Sequence, residues 1–463
     1  MNTPLIPVAV EAHASRRGRL SFGFVPRFFL ALLAGFVWLI PAWWSPRFAT
    51  AMFVWDAVVV AALLYDLVRL PRPGALSARR AWSAAPSLAR GGSVEIAVIN
   101  HGRRFLRVHV VDETPMSMSM RIPELRGDVA GGAVIRLEYP ILPAQRGDAH
   151  FGRLFLRYRA PWGLAERWVV AELSQDVRVT PDLEEARDQA LYLIRSRQVE
   201  MEKRRRRQRS LGREFESLRE YRQGDDPRDI CWPATARRHE LVTRVYEAER
   251  SQPIWLVVDA GRLMRAQVNN SRYAISLSKL DYAVNAALSV AQVATQSGDR
   301  VGLVGYGRAI QQTLTPGHGG SHIRAMVDAL SMVRAEANEA NHGLAARWLL
   351  QRQSRRSLVI WITDFAETPA TPEVIESAAQ TGRKHLVLFA AVSQPDVTAL
   401  AEAIPRTEEE MFRHAAVLEI VERRELLLRE LRQRGVLVAE QYPCELTTSL
   451  VNHYLEVKDR GRL

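Results

Sequence analysis

The sequence predicts a multi-domain chain: two transmembrane helices, an antiparallel β-sandwich, then a doubly wound α/β domain. Three observations predict it. Two apolar stretches, Phe28–Trp44 and Phe48–Val68, each approach the ~20 residues needed to cross a bilayer core. From 91 to 181 the chain runs in short period-two segments broken by turn residues. From Ile254 onward, apolar strand candidates alternate with amphipathic helical stretches.

The bulk composition suits such a chain. Its 463 residues allow two or three domains, and 47% hydrophobic with 25% charged residues is globular rather than disordered. The net charge of +12 favours an anionic partner, nucleic acid or the acidic face of a membrane. Two cysteines, Cys231 and Cys444, are too few for a disulfide framework or a cysteine-rich zinc site.

The N-terminal 27 residues read as a basic segment, and 28–70 as a transmembrane helical hairpin. A signal peptide is the rival reading of the first stretch, but it lacks a small-residue cleavage site before Trp43–Trp44, and a second apolar stretch follows at once. Arg16, Arg17, Arg19 and Arg27 precede the hairpin, and Arg69, Arg72, Arg79 and Arg80 follow it; Arg47 lies between. The positive-inside bias then predicts a multi-pass membrane protein with the bulk of the chain cytoplasmic. Asp56 is costly in lipid unless it faces the partner helix or another subunit. Asp66, near the interface, calls for no special role.

Residues 71–90 read as a Pro/Gly-punctuated linker. In 91–181, "SVEIAVIN", "FLRVHVVDE", "AVIRLEYPI", "GRLFLRYRAP" and "RWVVAEL" predict an immunoglobulin-like sandwich. Residues 182–250 read as a helical connector, acidic at its start and basic at its end as the helix dipole prefers. Its Lys203–Arg207 cluster lacks aromatic interleaving and a recognition fold, so no specific nucleic acid is expected. In 251–463 the strands "IWLVV", "RVGLVGY", "SLVIWIT", "HLVLFAAV" and "GVLVAEQY" form a buried parallel sheet. Asp259 and Asp364 fall at carboxyl ends of its strands, where such sheets bind ligands.

The densest motif is "GREFESLREYRQGDDPRDICWPATARR", Gly212–Arg238. Phe215 and Leu218 make an apolar helical stripe, Gly224 suits a helix end, and Asp226 with Pro227 starts a second helix. Arg219, Arg222, Arg228 and Arg237 with Glu220, Asp225 and Asp229 predict a charged network beside Trp232 that locks a domain junction. The pattern G-x-E-F-x-x-L-R-x-Y-x-x-G-D-D-x-R-x-I-x-W-x-x-T-A-R resembles the bacterial family called domain of unknown function 58. It is carried by Glu214, Phe215, Arg219, Tyr221, Gly224, Asp225, Asp226, Arg228, Trp232 and Arg237. Cys231 and Pro233 depart from it, standing where polar residues are usual. The resemblance extends to the layout of the whole chain and implies a bacterial inner-membrane location, a von Willebrand factor A-like α/β domain and a MoxR-type AAA+ ATPase as partner.

Metal-binding von Willebrand factor A domains place an Asp-x-Ser-x-Ser loop, a threonine and a further aspartate around Mg²⁺, which demands near-octahedral oxygen ligands. Here the loop reads Asp259-Ala260-Gly261-Arg262-Leu263, so Gly261 and Leu263 replace both serines. Asp364 matches the final acid, and Thr315 or Ser321 stands in for the threonine. The expectation is a degenerate site with no cofactor beyond weak Mg²⁺ binding by Asp259 and Asp364. The alternative for Asp259 is to accept from nearby backbone donors or to pair with Arg262 or Arg265.

"PGHGGSH" lacks the nucleophile elbow that an esterase needs, so Ser321 reads as a helix cap, and His318 and His322 as surface residues. No phosphate loop or dinucleotide fingerprint is evident. The expected function is therefore a non-enzymatic, membrane-anchored adaptor that binds a protein partner through the α/β domain. The alternatives are a divalent-metal-dependent ligand-binding module and an enzyme of cell-envelope assembly.

Overall fold

Short alternating strands build the first of two compact units, Met1–Thr180 and Pro181–Leu463. The structure, a computed structural model, describes residues 7–16, 21–45, 47–159, 162–182, 214–221, 230–238, 240–247, 252–269, 275–364 and 371–460.

In the first unit the strands are β1 (Val10–His13), β2 (Ser15–Arg16), β3 (Phe22–Phe24), β4 (Leu76–Trp82), β5 (Gly92–Asn100) and β6 (Leu106–Asp112). They continue with β7 (Glu124–Val129), β8 (Val134–Ile141), β9 (Gly147–Phe151), β10 (Leu154–Arg159), β11 (Ala165–Ala171) and β12 (Gln175–Val179). One antiparallel sheet has the order β1-β4-β5-β8, and a second runs β2-β11-β10-β6-β7 with β3 also on β11. Alternate residues such as Val94, Ile96 and Val98 of β5 and Val108 and Val110 of β6 are fully buried, the period-two signature of a half-buried sheet.

Two expectations are corrected here. The N-terminal segment is not merely a basic leader, because Val10–His13 pairs with Ser77–Arg80 and Phe22–Phe24 with Ala165–Arg167. Residues 71–90 are not only linker, since β4 lies among them. Its Arg80, counted above among membrane-facing arginines, is fully buried. Arg80 Nε donates to Asp112 Oδ2 at 3.1 Å, its Nη1 to Leu173 O at 2.6 Å and its Nη2 to Asp112 Oδ1. Tyr139 Oη donates to the same Asp112 Oδ2 at 2.6 Å. This fully hydrogen-bonded buried pair ties one sheet to the other through geometry.

Between β3 and β4 lie the apolar helices. Arg47–Arg69 is the one described helix long and apolar enough to cross a membrane; Pro26–Ala42 is shorter and passes through a 3₁₀ turn at Phe36–Trp38. The two pack closely. Trp55 Nε1 donates to Ala31 O at 2.8 Å, and a Cβ on Gly35 would lie 2.7 Å from Asp56 Oδ1. Asp56 thus faces the neighbouring helix. Asp66, for which no special role is expected, has one: it is buried, and its Oδ2 accepts from the Leu164 and Ala165 amides at 2.9 and 3.1 Å. That carboxylate fastens the long helix to the start of β11.

In the second unit β13 (Glu214–Glu220) pairs antiparallel with β14 (Val242–Glu247), with the helix Trp232–Arg238 between them. The helix expected around Phe215 and Leu218 is therefore a strand over Glu214–Glu220. Its backbone groups pair with β14, which carries the β-branched Val242, Thr243 and Val245 suited to a pleated surface. Of the helical connector expected over 182–250, residues 183–213 lie outside the described residues, and the part that is described holds β13, β14 and one short helix.

The α/β part contains β15 (Pro253–Asp259), a small ribbon of β16 (Gln267–Val268) and β17 (Leu277–Ser278), then β18 (Arg300–Tyr306), β19 (Ile310–Gly317), β20 (Leu358–Thr363), β21 (Leu386–Val392) and β22 (Leu437–Gln441). The main sheet has the order β19-β18-β15-β20-β21-β22, parallel except for the edge strand β19. Numbered within this sheet, the order is 3-2-1-4-5-6, so the topology reverses beside β15. Leu256, Val258, Leu303 and Ile360 pack with the helices Lys279–Gln296, Gly320–Met332 and Leu446–Asp459. Trp255, Val257, Val359 and Phe389 form the other core with helices His342–Arg352, Thr371–Gly382 and Glu408–Gln433. Both faces are covered, which is why the strands read as continuous apolar runs.

Candidate functional site

Asp259 ends β15 and Asp364 follows β20 at once, so the sheet brings together two acids 105 positions apart in the chain. They lie at the carboxyl ends of the two strands flanking the topological switch, the customary ligand position of such a sheet. Odd-numbered β15 and even-numbered β20 residues face opposite cores, so parity alone would not pair them; Asp364, however, lies one residue beyond the end of β20, outside its pleat.

Asp259 is only 2% exposed. Its Oδ1 accepts from the Gly261 amide at 2.6 Å and its Oδ2 from Thr363 Oγ1 at 2.5 Å. Burial pushes its carboxyl up to about 7; the Thr363 and Gly261 hydrogen bonds oppose that rise and neighbouring Asp364 adds to it. Of the alternatives for Asp259, acceptance from backbone is the one found. Arg262 turns instead to Glu339, at 3.6 Å.

Asp364 is held differently. Lys279, 1% exposed at the start of its helix, donates through Nζ to Asp364 Oδ2 at 2.5 Å. Arg424 Nη1 donates to Asp364 Oδ1 at 2.6 Å, while its Nε reaches Glu440 at 2.7 Å and its Nη2 the Val392 carbonyl at 3.0 Å. Two protein cations therefore occupy the acid where a divalent ion would be expected. Lys279 is placed by a capping box in which Ser278 and Asp281 satisfy each other's backbone amides.

The replaced serine position is closed by packing. A Cβ on Gly261 would lie 2.8 Å from the Ala340 amide nitrogen and 2.9 Å from its Cβ. The 336–341 segment is fixed there by Glu336 N–H to Ala260 O at 2.7 Å and Arg262 N–H to Asn338 O at 2.8 Å. Thr315 and Ser321 do not substitute for the missing threonine. β19 runs antiparallel, with Leu314 opposite Leu303 and Gly317 opposite Val301, so both residues lie toward the amino end of β18, away from Asp259. Among the described residues no group of three or more His, Cys, Asp or Glu could hold a metal ion. The donor set does not fit octahedral Mg²⁺.

Beside Asp259 a buried polar chain runs from Trp361 Nε1 to Tyr306 Oη at 2.6 Å and on to His342 Nδ1 at 2.8 Å. Burial holds His342 at about 4, and it raises Tyr306 well above its usual range, Asp259 adding to that rise. His342 is thus neutral near pH 7. Elsewhere, His322 Nε2 lies 2.6 Å from the Val301 carbonyl. Ser321 is not the cap of its helix; Gly319, with φ +89°, holds that position because it needs no Cβ.

Of the signature residues, Glu214, Phe215 and Arg219 lie in β13, opposite Glu247, Tyr246 and Thr243. The Tyr221 amide donates to Leu241 O at 2.8 Å, while Trp232 (65% exposed) and Arg237 are at the surface. Gly224, Asp225, Asp226 and Arg228 lie outside the described residues. Lys279, Thr363 and Arg424 are the site residues that sequence reasoning missed. A lysine opening an otherwise apolar helix was a usable signal for the first; nothing set Arg424 apart from its neighbouring surface arginines.

Among solved structures, proximal thread matrix protein 1 from the mussel byssus is 12% identical, with 44% of this chain and 47% of that chain covered and a TM-score of 0.28. This chain therefore spans about half the length of that protein. An uncharacterized membrane spanning protein from Vibrio fischeri is 14% identical over 45% of this chain and 98% of that one, TM-score 0.17. A PapD-like domain of human CEP192 is 11% identical over 20% and 75%, TM-score 0.16. Likenesses this low carry no argument here. No curated protein matches the chain. The family described as "Protein of unknown function DUF58" matches residues 217–407, from β13 through the α/β sheet to the start of the Glu408–Gln433 helix, and this match supports the DUF58 family for the chain.

Proposed function

We propose that this chain is a membrane-anchored, non-enzymatic adaptor. Its α/β domain, of von Willebrand factor A-like plan, binds a protein partner at the strand ends around Asp259 and Asp364. The observation that carries this reading is the internal neutralisation of Asp364 by Lys279 and Arg424. Recognition at that edge then needs no divalent ion, which disfavours the metal-dependent alternative. A MoxR-type AAA+ ATPase is the partner proposed, on the family resemblance.

The anchor is a two-span hairpin in an inner membrane, with the domains on the cytoplasmic side. Strand pairing supports it: β1 and β3, before the apolar helices, pair with β4 and β11, after them. A chain that leaves one domain and re-enters it crosses a bilayer an even number of times. One helix of 23 residues suffices for a crossing, and Pro26–Ala42, ~25 Å long at 1.5 Å per residue, supplies the other.

The test is co-purification of tagged full-length protein from native membranes in the presence of nucleotide. An AAA+ ATPase is expected in the eluate and is expected to be lost with Lys279→Glu, which reverses the charge at the site. Recovery of no ATPase with wild-type protein overturns the partner assignment.

A further inference from the structure

The outer face of the second sheet of the β domain gathers arginines beside the apolar helices. Arg107 (β6), Arg157 and Arg159 (β10) alternate with buried residues and Arg126 (β7) with half-buried ones, so their side chains share one face. With Arg27 they line a cavity of about 410 Å³ in which Asp128 is the one acidic lining residue. Strand register puts Arg107 between Arg159 on one side and Asp128 on the other, and His109 between Arg157 and Arg126. Like charges placed directly opposite are unfavourable unless an anion intervenes.

The local acids compensate only one side. Glu166 accepts from Arg159 Nε at 2.9 Å and lies 3.7 Å from Arg157, while Glu124 lies 3.4 Å from His109. Among the described residues, the side chains of Arg27, Arg107 and Arg126 make no ion pair or hydrogen bond. Arg157 Nε is buried without a partner. Burial, then Arg157, lowers the His109 value, so the imidazole adds a neutral donor or acceptor rather than further positive charge.

The cavity has a definite address. Val25 caps the first apolar helix, and Arg27 is that helix's second residue. Gly163, also lining the cavity, precedes the Leu164 and Ala165 amides bound by Asp66 near the end of the long apolar helix. There Tyr65 packs on Trp162 at 5.0 Å, with Arg69 over the Tyr65 ring, an aromatic and basic collar of the kind found at headgroup level. Both apolar helices therefore meet the β domain at this cavity.

We infer that the cavity between Arg27 and the Arg107–Arg126–Arg157–Arg159 face is a binding site for the phosphate of an anionic phospholipid headgroup. The inference rests on the membrane-anchored reading given above. Guanidinium groups match phosphate oxygens in geometry as well as charge, which a lysine cluster would not do. Headgroup binding here would fix the depth and tilt of the β domain on the bilayer.

The test places full-length protein in nanodiscs of phosphatidylcholine with added phosphatidylglycerol and counts lipids retained by native mass spectrometry. Wild type is expected to retain phosphatidylglycerol preferentially. The double variant Arg107→Gln/Arg126→Gln should lower that preference about 25-fold, at about fivefold per basic residue. Arg355→Gln, exposed in the other unit, should not change it. Arg107→Lys/Arg126→Lys controls for folding: it keeps the charge without the bidentate geometry, so it should restore only part of the preference. Equal retention by wild type and the glutamine variant overturns the inference. So does stabilisation by inorganic phosphate in detergent that phosphatidylglycerol fails to compete, which would assign the cavity to a free anion. Alkaline carbonate extraction separates the two readings. Release of wild type from native membranes sinks the anchor and the lipid together, whereas resistant protein without lipid preference sinks the lipid site alone.

Discussion

Replacing Asp259 by asparagine isolates the cost of a carboxyl group that has no cation of its own. The folded chain keeps this proton up to about pH 7, against 3.8 for an ordinary carboxyl, chiefly because burial disfavours the charge. The folded state therefore binds more protons than the unfolded chain between those values. The contribution to stability is full below pH 3.8 and is lost as pH rises through 7. Each tenfold change in proton affinity corresponds to about 1.4 kcal/mol, so the whole displacement amounts to about 4 kcal/mol. Asparagine keeps the acceptor for the Gly261 amide and can donate to Thr363 Oγ1, yet never ionises. Full-length wild type and Asp259→Asn should unfold at similar temperatures only near pH 4 and below, and the gap should widen steadily from there to pH 7. By pH 8 the variant should be the more stable, by roughly 8–16 °C at ~2–4 °C per kcal/mol. Scanning fluorimetry reads this through Trp255 and Trp361, both buried in this unit. Parallel pH profiles for the two proteins would refute the reasoning.

Two other perturbations follow from the same packing. Gly261→Ser restores a hydroxyl of the cation loop, but its Cβ meets Ala340 backbone at 2.8 Å. It should cost about 1–3 kcal/mol in thermal or urea unfolding and give no saturable Mg²⁺ heat by titration calorimetry. A saturable wild-type isotherm abolished by Asp259→Ala would return the site to the metal-dependent class. In the β domain, Arg80→Ala strands Asp112 and should destabilise by about 3–5 kcal/mol, whereas Arg80→Met with Asp112→Leu should cost far less. Denaturation midpoints for the single and paired variants check this, and equal losses would show that the pair is not what holds the sheets.

Some of this protein was legible residue by residue. Every parallel strand of the main sheet was readable, because a strand covered on both faces must be apolar throughout. The edge strand β19 was missed: its burial is partial, and its glutamines and threonines read as loop. β13 was misread as a helix because Phe215 and Leu218 fit a helical spacing, and only the distant β14 supplies the alternative backbone partners. Local pattern cannot report a partner that lies far along the chain.

The same division holds for the site. By itself the sequence determined that Asp259 and Asp364 stand at strand ends and that the serines of a cation loop are missing. Tertiary structure alone decided what replaces the cation, since Lys279 and Arg424 come from helices 85 and 60 positions from Asp364. It also decided that Arg80 is interior and that the N-terminal segment belongs to the β domain. Charge type is written in the residue, but whether that charge meets water, lipid or a carboxylate depends on which remote elements pack against it.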